Sequence, residues 1–223
     1  QTFRDGRTAD LFGVRLLDLQ AVLGGEWQHQ KRTGFGYAVH FALVRDDDTI
    51  CHAYTEGSGD AAGTHLIEGQ GHHAPEVRSA LDQVFGPMGY TTPRRDTCFD
   101  VIDDDAFTMF HQLAEIGRDM ARAGRMKFDQ VGQGWLVPGQ TMTIYLGSRN
   151  SPVMIRIYTR GLKTLAEGGM DDPRRIRVEV EVKPGKREGK QTLSMLDDSA
   201  LFGCAGWSRE FLERAGIVGI DRV

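Results

Sequence analysis

The sequence has no long apolar run, few cysteines and no common nucleotide-binding motif. No stretch of about 18 apolar residues occurs, so we expect no membrane-spanning helix. The three cysteines, Cys51, Cys98 and Cys204, are widely spaced and form no CxxC pair. This odd, scattered set argues for a reducing compartment and against a disulfide framework or a cysteine zinc site. The missing G-x-x-x-x-G-K-S/T loop disfavours a P-loop NTPase, and no export signal is recognisable, so a cytoplasmic protein is expected.

Charge is unevenly distributed along this mildly acidic chain, whose formal net charge is −4. Between residues 145 and 190, eleven Lys and Arg residues stand against six Asp and Glu residues. A local basic surface of this kind suits a phosphate backbone. A solvated sheet face with basic loops is the alternative explanation.

Hydrophobic periodicity predicts an α+β protein with a mainly antiparallel central sheet and helices packed on one side. Strands are predicted at 36–44, 49–56, 64–71, 91–102, 141–147, 152–160 and 175–182. Helices are predicted at 74–89, 103–124 and 197–216. We expect one domain, 1–223, with two pseudo-repeated halves of about 1–125 and 126–223 as an alternative organisation.

Acidic side chains alternate along two of the predicted strands. In "RRDTCFDV" (94–101) one face carries Asp96 and Asp100, and in "RIRVEVEV" (175–182) one face carries Glu179 and Glu181 together with arginines. If these strands are neighbours, the carboxylates repel one another unless a cation neutralises them, and hard oxygen ligands suit Mg²⁺ or Mn²⁺. The alternatives are a solvated face for the glutamates and a helix-capping role for Asp100.

The segment "IRIYTRG" (155–161) carries a tyrosine between two arginines. Strand alternation predicts that Arg156, Tyr158 and Arg160 share one face. A phenol beside phosphate-binding cations would suit a nucleophile, whereas tyrosine also favours strands for packing reasons alone. Tyr145 is the competing tyrosine, but it lacks flanking arginines.

The histidines show no metal-binding pattern. In a strand, the adjacent His72 and His73 would face opposite sides, and neither a His-apolar-His pair nor an H-E-x-x-H motif occurs. His65 and His72 remain candidates for a ligand or a proton carrier.

Four stretches in order, "IEGQGHH", "RRDTCFDV", "TIYLGSRNSPVMIRIYTRG" and "RIRVEVEV", cover residues 64–182. Together they resemble the Rep_trans-type replication initiation factors. These are the rolling-circle initiators of plasmids and filamentous phages, with relatives among the relaxases of integrative elements. The resemblance implies a possible pseudo-duplicated HUH-endonuclease-like core.

The resemblance implies a metal-dependent tyrosine endonuclease that nicks one origin strand, keeps the 5′-phosphate on tyrosine, frees a 3′-hydroxyl and rejoins the ends. The catalytic residues would be Tyr158, Arg160 and Arg156. The implied metal ligands are Asp96, Glu179, Glu181 and Asp100, and the implied DNA contacts are Arg149, Arg177, Ser148 and Lys163. The family usually has an acidic residue and then a lysine after the tyrosine, where this chain has Thr159 and Arg160.

The implied cofactor is a divalent metal, Mg²⁺ or Mn²⁺. The implied partners are single-stranded or hairpin origin DNA and the helicase and polymerase of a bacterial host, with a mobile element encoding the protein. No membrane partner is expected, and a homodimer is one of the open oligomeric states. Two alternative functions are a non-catalytic DNA-binding module or regulator derived from such an initiator, and a metal-dependent hydrolase that uses water as the nucleophile.

Overall fold

The computed structural model of the chain describes residues 2–4, 9–185, 189–190, 193, 196 and 198–217. The chain divides into two compact units. Unit 1 comprises residues 1–93 and 186–195, and unit 2 comprises residues 94–185 and 196–223. Each unit contains one five-stranded sheet in which every neighbouring pair is antiparallel.

Unit 1 has the sheet order β1-β5-β4-β3-β2. Its elements are β1 (Thr2–Arg4), α1 (Ala9–Leu23), β2 (Glu26–His29), β3 (Tyr37–Arg45), β4 (Asp48–Gly57), β5 (Thr64–Gly69) and α2 (Ala74–Phe85). Short 3-10 helices cover Gly59–Ala61 and Gly71–His73.

The core of unit 1 lies between its sheet and the helices α1 and α2. Leu19 of α1 and Leu81 of α2 are buried against Leu43, Ile50 and Ile67 of the sheet. The apolar residues of α2 recur at helical spacing, and Pro75 lies in its first turn, where the absent N–H costs no hydrogen bond.

Unit 2 has the sheet order β6-β10-β9-β8-β7. Its elements are β6 (Arg95–Ile102), α3 (Ala106–Arg122), β7 (Phe128–Val131), β8 (Thr143–Leu146), β9 (Val153–Tyr158), α4 (Arg160–Ala166), β10 (Arg175–Val182), α5 (Asp198–Phe202) and α6 (Gly206–Arg214). A 3-10 turn covers Gln133–Trp135.

One face of the unit 2 sheet forms the core of that unit. Val178 and Val180 of β10 and Ile155 of β9 are almost fully buried. Helix α3 packs closely there, since a Cβ on Gly117 would lie 2.7 Å from Leu146 Cδ2. Because side chains alternate along a strand, the polar residues of β9 and β10 lie on the opposite face.

The two units repeat one topology. In each, the first strand leads into a helix, four further strands form a meander, and the fifth strand pairs with the first. The boundary lies between Pro93 and Arg94, so β6 and α3 belong with the second sheet and not with a first half that ends near residue 125. Pairing of β6 with β10, about 80 residues later, is a tertiary feature that periodicity does not encode. A single catalytic domain over 1–223 stays a prediction.

The predicted α+β class with antiparallel pairing is confirmed, and the sheet occurs twice. The sequence patterns missed α1, the short strands β1, β2 and β7, and the helix α4. The predicted C-terminal helix is two helices, with a break at residues 203–205. Within the described residues, no helix combines the length and apolar character that crossing a membrane would require.

Candidate functional site

The polar face of the unit 2 sheet brings the predicted site residues together. Strand β10 lies between β6 and β9, so each of its polar residues has two cross-strand neighbours. Arg177 lies opposite Asp100 and Tyr158, and Glu179 lies opposite Arg156. Glu181 pairs in register with Asp96 of β6.

The two glutamates on β10 are buried, with exposed fractions of 8% for Glu179 and 5% for Glu181. A solvated sheet face, the alternative considered from the sequence, is therefore wrong for these two residues. A buried carboxylate is costly unless charged or hydrogen-bonded partners compensate for its lost hydration. Each glutamate has a basic partner on the same face.

Tyr158, the last residue of β9, is buried beside one of these glutamates. Its hydroxyl donates a long hydrogen bond of 3.5 Å to Glu179 Oε2. Two cations flank the phenol ring, with the Arg156 guanidinium carbon 5.7 Å and Lys163 Nζ 5.6 Å from the ring centroid. Burial and the negative charge of Glu179 raise the pKa of Tyr158, while Arg177 and the other nearby arginines oppose that rise.

One side-chain nitrogen of Arg156 contacts a carboxylate, and another has no hydrogen-bond partner among the described residues. Its Nη2 forms an ion pair and hydrogen bond with Glu179 Oε1. Its Nε is buried, and no described residue accepts a hydrogen bond from it. A buried donor without a protein acceptor is unusual, and a ligand oxygen is one group that would satisfy it.

Asp96 and Glu181 already share a cation, the guanidinium of Arg94. Arg94 Nε donates to Asp96 Oδ1 at 2.8 Å, and its Nη2 lies against Asp96 Oδ2 and 2.8 Å from Glu181 Oε2. Lys183 Nζ lies 2.5 Å from Glu181 Oε1 as an ion pair without the alignment of a hydrogen bond. Asp96 and Glu181 thus meet at one guanidinium, whereas Glu179 pairs with Arg156.

Asp100 forms a separate ion pair at the next row of the same face. Arg177 donates two hydrogen bonds to it, at 2.7 and 2.8 Å, and Arg175 Nη1 adds a third at 3.2 Å. The hydrogen bonds from Arg177 are the main reason that the pKa of Asp100 lies below its usual value. The alternative capping role for Asp100 has no support, since Asp105 is the N-cap residue of α3.

The strand that carries Tyr158 ends sooner than the sequence predicts. Thr159 is buried and follows the strand, and its Oγ1 accepts a hydrogen bond from Met142 N at 3.0 Å. Arg160 then begins α4, so the prediction that it shares a strand face with Tyr158 is wrong. The cation that α4 places over the phenol ring is Lys163.

The predicted DNA contacts lie in the turn before β9, on α4 and on β10. Arg149 is exposed in the turn between β8 and β9, with its guanidinium carbon 5.6 Å from the ring centroid of Tyr145. Ser148 Oγ accepts a hydrogen bond from Asn150 N and so shapes the same turn. Lys163 is exposed on α4, whereas Arg177 is held by Asp100.

Sequence reasoning missed one group of side chains in unit 1 whose geometry could hold a metal ion. Among the described residues, the three that bring ligand atoms within 4.8 Å of one another are Asp48, His72 and His73. The predicted carboxylates of unit 2 form no such group. His72 and His73 lie in a 3-10 helix, not in a strand, so the rule that adjacent strand residues face opposite sides does not apply to them. Asp48 precedes the two histidines by 24 and 25 residues, so spacing gave no signal.

Comparison with known proteins gives a match in structure but none in sequence. No family model matches the chain, and no curated protein matches it. Among solved structures, it is similar to a rolling circle replication initiator protein from Geobacillus stearothermophilus, with a TM-score of 0.56 and 16% identity. The match covers 89% of this chain and 76% of that chain. The chain therefore has the fold of a rolling circle replication initiator.

Proposed function

We propose that this chain is a replication initiation endonuclease that nicks one strand of an origin through a 5′-phosphotyrosine on Tyr158. The observation that supports this most is the pairing of Tyr158 with Glu179, beside arginine side chains, in a fold shared with a rolling circle replication initiator. Each feature alone has a structural explanation. A phenol, a carboxylate and a phosphate-binding cation on one sheet face are the groups that strand transfer by tyrosine needs.

The reaction uses the phenol oxygen as the nucleophile. Tyr158 Oη attacks the scissile phosphorus, the P–O3′ bond breaks, and the DNA 5′-phosphate stays as a tyrosyl ester. The departing 3′-oxygen takes up a proton and becomes a hydroxyl that can prime a polymerase. Reversal by a 3′-hydroxyl restores the phosphodiester and the free phenol, which accounts for rejoining without an external energy source.

Glu179 is the base in this proposal. A phenol has a pKa near 10, and the surroundings of Tyr158 raise it further, so attack needs a proton acceptor. Glu179 Oε2 already accepts the phenol hydrogen bond. The Rep_trans-type factors that the sequence resembles usually have an acidic residue at the position of Thr159. In this chain, Thr159 accepts a hydrogen bond from the backbone of Met142, and Glu179 supplies the carboxylate instead.

Arg156 and its neighbours would bind the phosphate. The unpaired Nε of Arg156 supports a contact with a phosphate oxygen, and a guanidinium can stabilise the charge that develops there. Lys163 and Arg160, both on α4, add positive charge beside Tyr158. Arg149 and Ser148, in the turn before β9, would contact the DNA backbone, with Arg177 as a further cation.

Asp96 and Glu181 are the best-placed ligands for the divalent cation that this class of reaction implies. They face each other in register and already hold one cationic group, Arg94, so the pair fits a positive charge. Carboxylate oxygens suit Mg²⁺ or Mn²⁺, and such an ion, when bound, would polarise the scissile phosphate. Glu179, the third predicted ligand, is assigned here as the base instead. Asp100 is less suited because its cross-strand neighbour is Arg177 and not a second carboxylate.

The expected DNA substrate is a single-stranded or hairpin origin, and the expected partners are a host helicase and polymerase. A homodimer is one oligomeric state that fits this proposal. We also expect that a mobile element encodes the protein and that the protein acts in the cytoplasm of a bacterial host.

The test is an adduct assay on the full chain. Labelled single-stranded oligonucleotides from the origin of the encoding element are incubated with Mn²⁺ or with chelator, and denaturation-resistant adducts are mapped by mass spectrometry. We expect a metal-dependent adduct on Tyr158 that Tyr158→Phe abolishes, while DNA binding persists.

The matched control is Tyr54→Phe, which removes a tyrosine that hydrogen-bonds Glu68 in the other sheet. We expect this variant to form the adduct. Binding without cleavage or adduct in the wild-type chain would favour the non-catalytic DNA-binding module. Cleavage without an adduct would identify water as the nucleophile and refute the role of Tyr158.

A further inference from the structure

We propose that Asp48, His72 and His73 of unit 1 form a second metal site, one that takes a divalent transition metal such as Zn²⁺. This site is separate from the proposed Mg²⁺ or Mn²⁺ ligands, which lie in unit 2. Two imidazole nitrogens and one carboxylate oxygen are the donor set of open three-ligand zinc sites.

The ligand atoms converge on one point. His73 Nε2 lies 2.9 Å and His72 Nε2 lies 3.6 Å from the same oxygen, Asp48 Oδ2. Zinc bonds of about 2.0 to 2.1 Å place tetrahedral ligands about 3.3 to 3.4 Å apart. The two observed distances bracket that separation, so small side-chain shifts would admit an ion.

The rings of His72 and His73 crowd together at one oxygen of Asp48. The ring centroids of His72 and His73 are 3.8 Å apart, and both rings direct Nε2 at one carboxylate oxygen. An ion held by both imidazoles and the carboxylate would account for this shared orientation, because it binds the three ligand atoms at one point.

Two backbone turns position the residues that carry the ligand atoms. Asp46 and Asp47 have positive φ values of 53° and 65°, which is the backbone of a two-residue type I′ hairpin turn. This turn sets Asp48 as the first residue of β4, in register with Arg45. The histidines lie in the 3-10 turn that leads directly into α2.

A carboxylate lies behind one of the ligands, and an arginine holds that carboxylate in place. Glu76 Oε2 lies 3.5 Å from His73 Nδ1, the ring nitrogen that faces away from Asp48. Arg45 holds Glu76 through two hydrogen bonds of 2.8 and 3.0 Å. A carboxylate behind a metal-binding histidine fixes its tautomer and makes it a better ligand. With three protein ligands, the fourth position stays open to water or to a DNA group.

The test measures metal binding directly and needs no nicking activity. The full chain without a polyhistidine tag is stripped with chelator and titrated calorimetrically with ZnCl₂. CoCl₂ then serves as the spectroscopic probe, because tetrahedral Co²⁺ with nitrogen ligands absorbs visible light strongly. We expect one equivalent of Zn²⁺ to bind, and excess MgCl₂ not to displace it.

Three variants distinguish one defined metal site from non-specific binding of metal to surface residues. Asp48→Asn and His72→Gln should abolish stoichiometric binding, and the His72 side chain is 78% exposed, so that change should not unfold the chain. Glu76→Gln should weaken binding about 10- to 100-fold. The control His29→Gln, at an exposed histidine of β2, should bind as the wild-type chain does.

No binding by the wild-type chain, or undiminished binding by His72→Gln, would refute the site. The double variant Asp96→Asn/Glu181→Gln should retain the Zn²⁺ affinity of the wild-type chain. If that double variant loses nicking but still binds Zn²⁺, the Mg²⁺ or Mn²⁺ site of unit 2 and the Zn²⁺ site of unit 1 are independent. Failure of either proposal then does not refute the other.

Discussion

Tyr54 and Tyr158 occupy equivalent positions in the two sheets. Each lies on the fourth strand of its unit, and each donates a hydrogen bond to a glutamate on the fifth strand, at 3.3 Å to Glu68 and 3.5 Å to Glu179. In both sheets, the glutamate lies two residues after the residue opposite the tyrosine. The Tyr–Glu pair is therefore part of the repeated topology.

The surroundings of the two tyrosines differ. The ring of His40 stacks on that of Tyr54 with their centroids 4.3 Å apart. Burial is the main reason that the pKa of Tyr54 is raised to about 12, and the charge of Glu68 adds to this rise. Around Tyr158, arginines lower the pKa and so offset part of the effect of burial. Guanidinium groups are permanently charged, and their planar fork of donors matches the oxygens of a phosphate. This difference is why we place the nucleophile in unit 2.

The Glu179→Gln variant tests whether Glu179 acts as the base or only contacts Tyr158. We expect adduct formation to slow by about 100-fold or more, because the proton acceptor is lost. The same change should lower the pKa of Tyr158, since the charge of Glu179 raises it. Single-turnover adduct formation and an ultraviolet titration of the phenol measure the two effects. The matched control is Glu68→Gln in unit 1, which should leave the rate unchanged, and a faster reaction in Glu179→Gln would contradict the role of base.

Arg94→Ala tests whether Asp96 and Glu181 form a cation site. Without the guanidinium, two carboxylates face each other, and we expect the free energy of unfolding in chelator to fall by about 1 to 3 kcal/mol. Mn²⁺ should restore more stability to the variant than it adds to the wild-type chain, because it replaces the lost positive charge. Urea unfolding with and without Mn²⁺ measures this.

The control for that experiment is Arg125→Ala, which removes an equally exposed arginine paired with Glu210 in the same unit. Exposed pairs contribute about 1 kcal/mol or less, and no second carboxylate is left facing the first, so we expect no response to Mn²⁺. Equal Mn²⁺ responses in the two variants would mean that Asp96 and Glu181 do not bind the ion.

Asp100→Asn should make the free energy of unfolding less sensitive to acidic pH. The pKa of Asp100 is lowered in the folded chain, so its ion pairs with Arg177 and Arg175 contribute stability above the unfolded pKa of about 4. That contribution is lost as pH falls through the folded pKa. At pH 7 we expect the variant to lose about 1 kcal/mol, because the pair is partly solvated, and the deficit should shrink below pH 4. A deficit that persists at low pH, or one matched by the exposed Asp119→Asn, would argue against this pair.

Gly161→Ala should distort the connection that carries Lys163. A Cβ at Gly161 would lie 1.7 Å from the backbone oxygen of Asp172, so α4 or the segment before β10 must move. We expect a loss of about 1 to 3 kcal/mol in the free energy of unfolding, measured by urea. Gly206→Ala, at a helical glycine of α6 with no atom within 4 Å of the added methyl, should cost far less. Equal effects would show that α4 adapts freely.

Sequence alone determined the polar face of β10 and the position of Tyr158 on a strand. Strict alternation between charged residues and Ile or Val in "RIRVEVEV" encodes two faces, because neighbouring side chains on a strand point in opposite directions. The helices α2 and α3 were predictable for the corresponding reason, since their apolar residues recur at helical spacing.

Only the tertiary structure decided which charges meet. Register between β6, β10 and β9 places Glu179 beside Arg156, and the position of Arg94 just before β6 lets it reach Glu181. Register depends on pairing between segments that are far apart in sequence, and local periodicity does not contain that information. The same holds for Asp48 and His72, which meet because a hairpin turn and a 3-10 turn bring distant residues to one point.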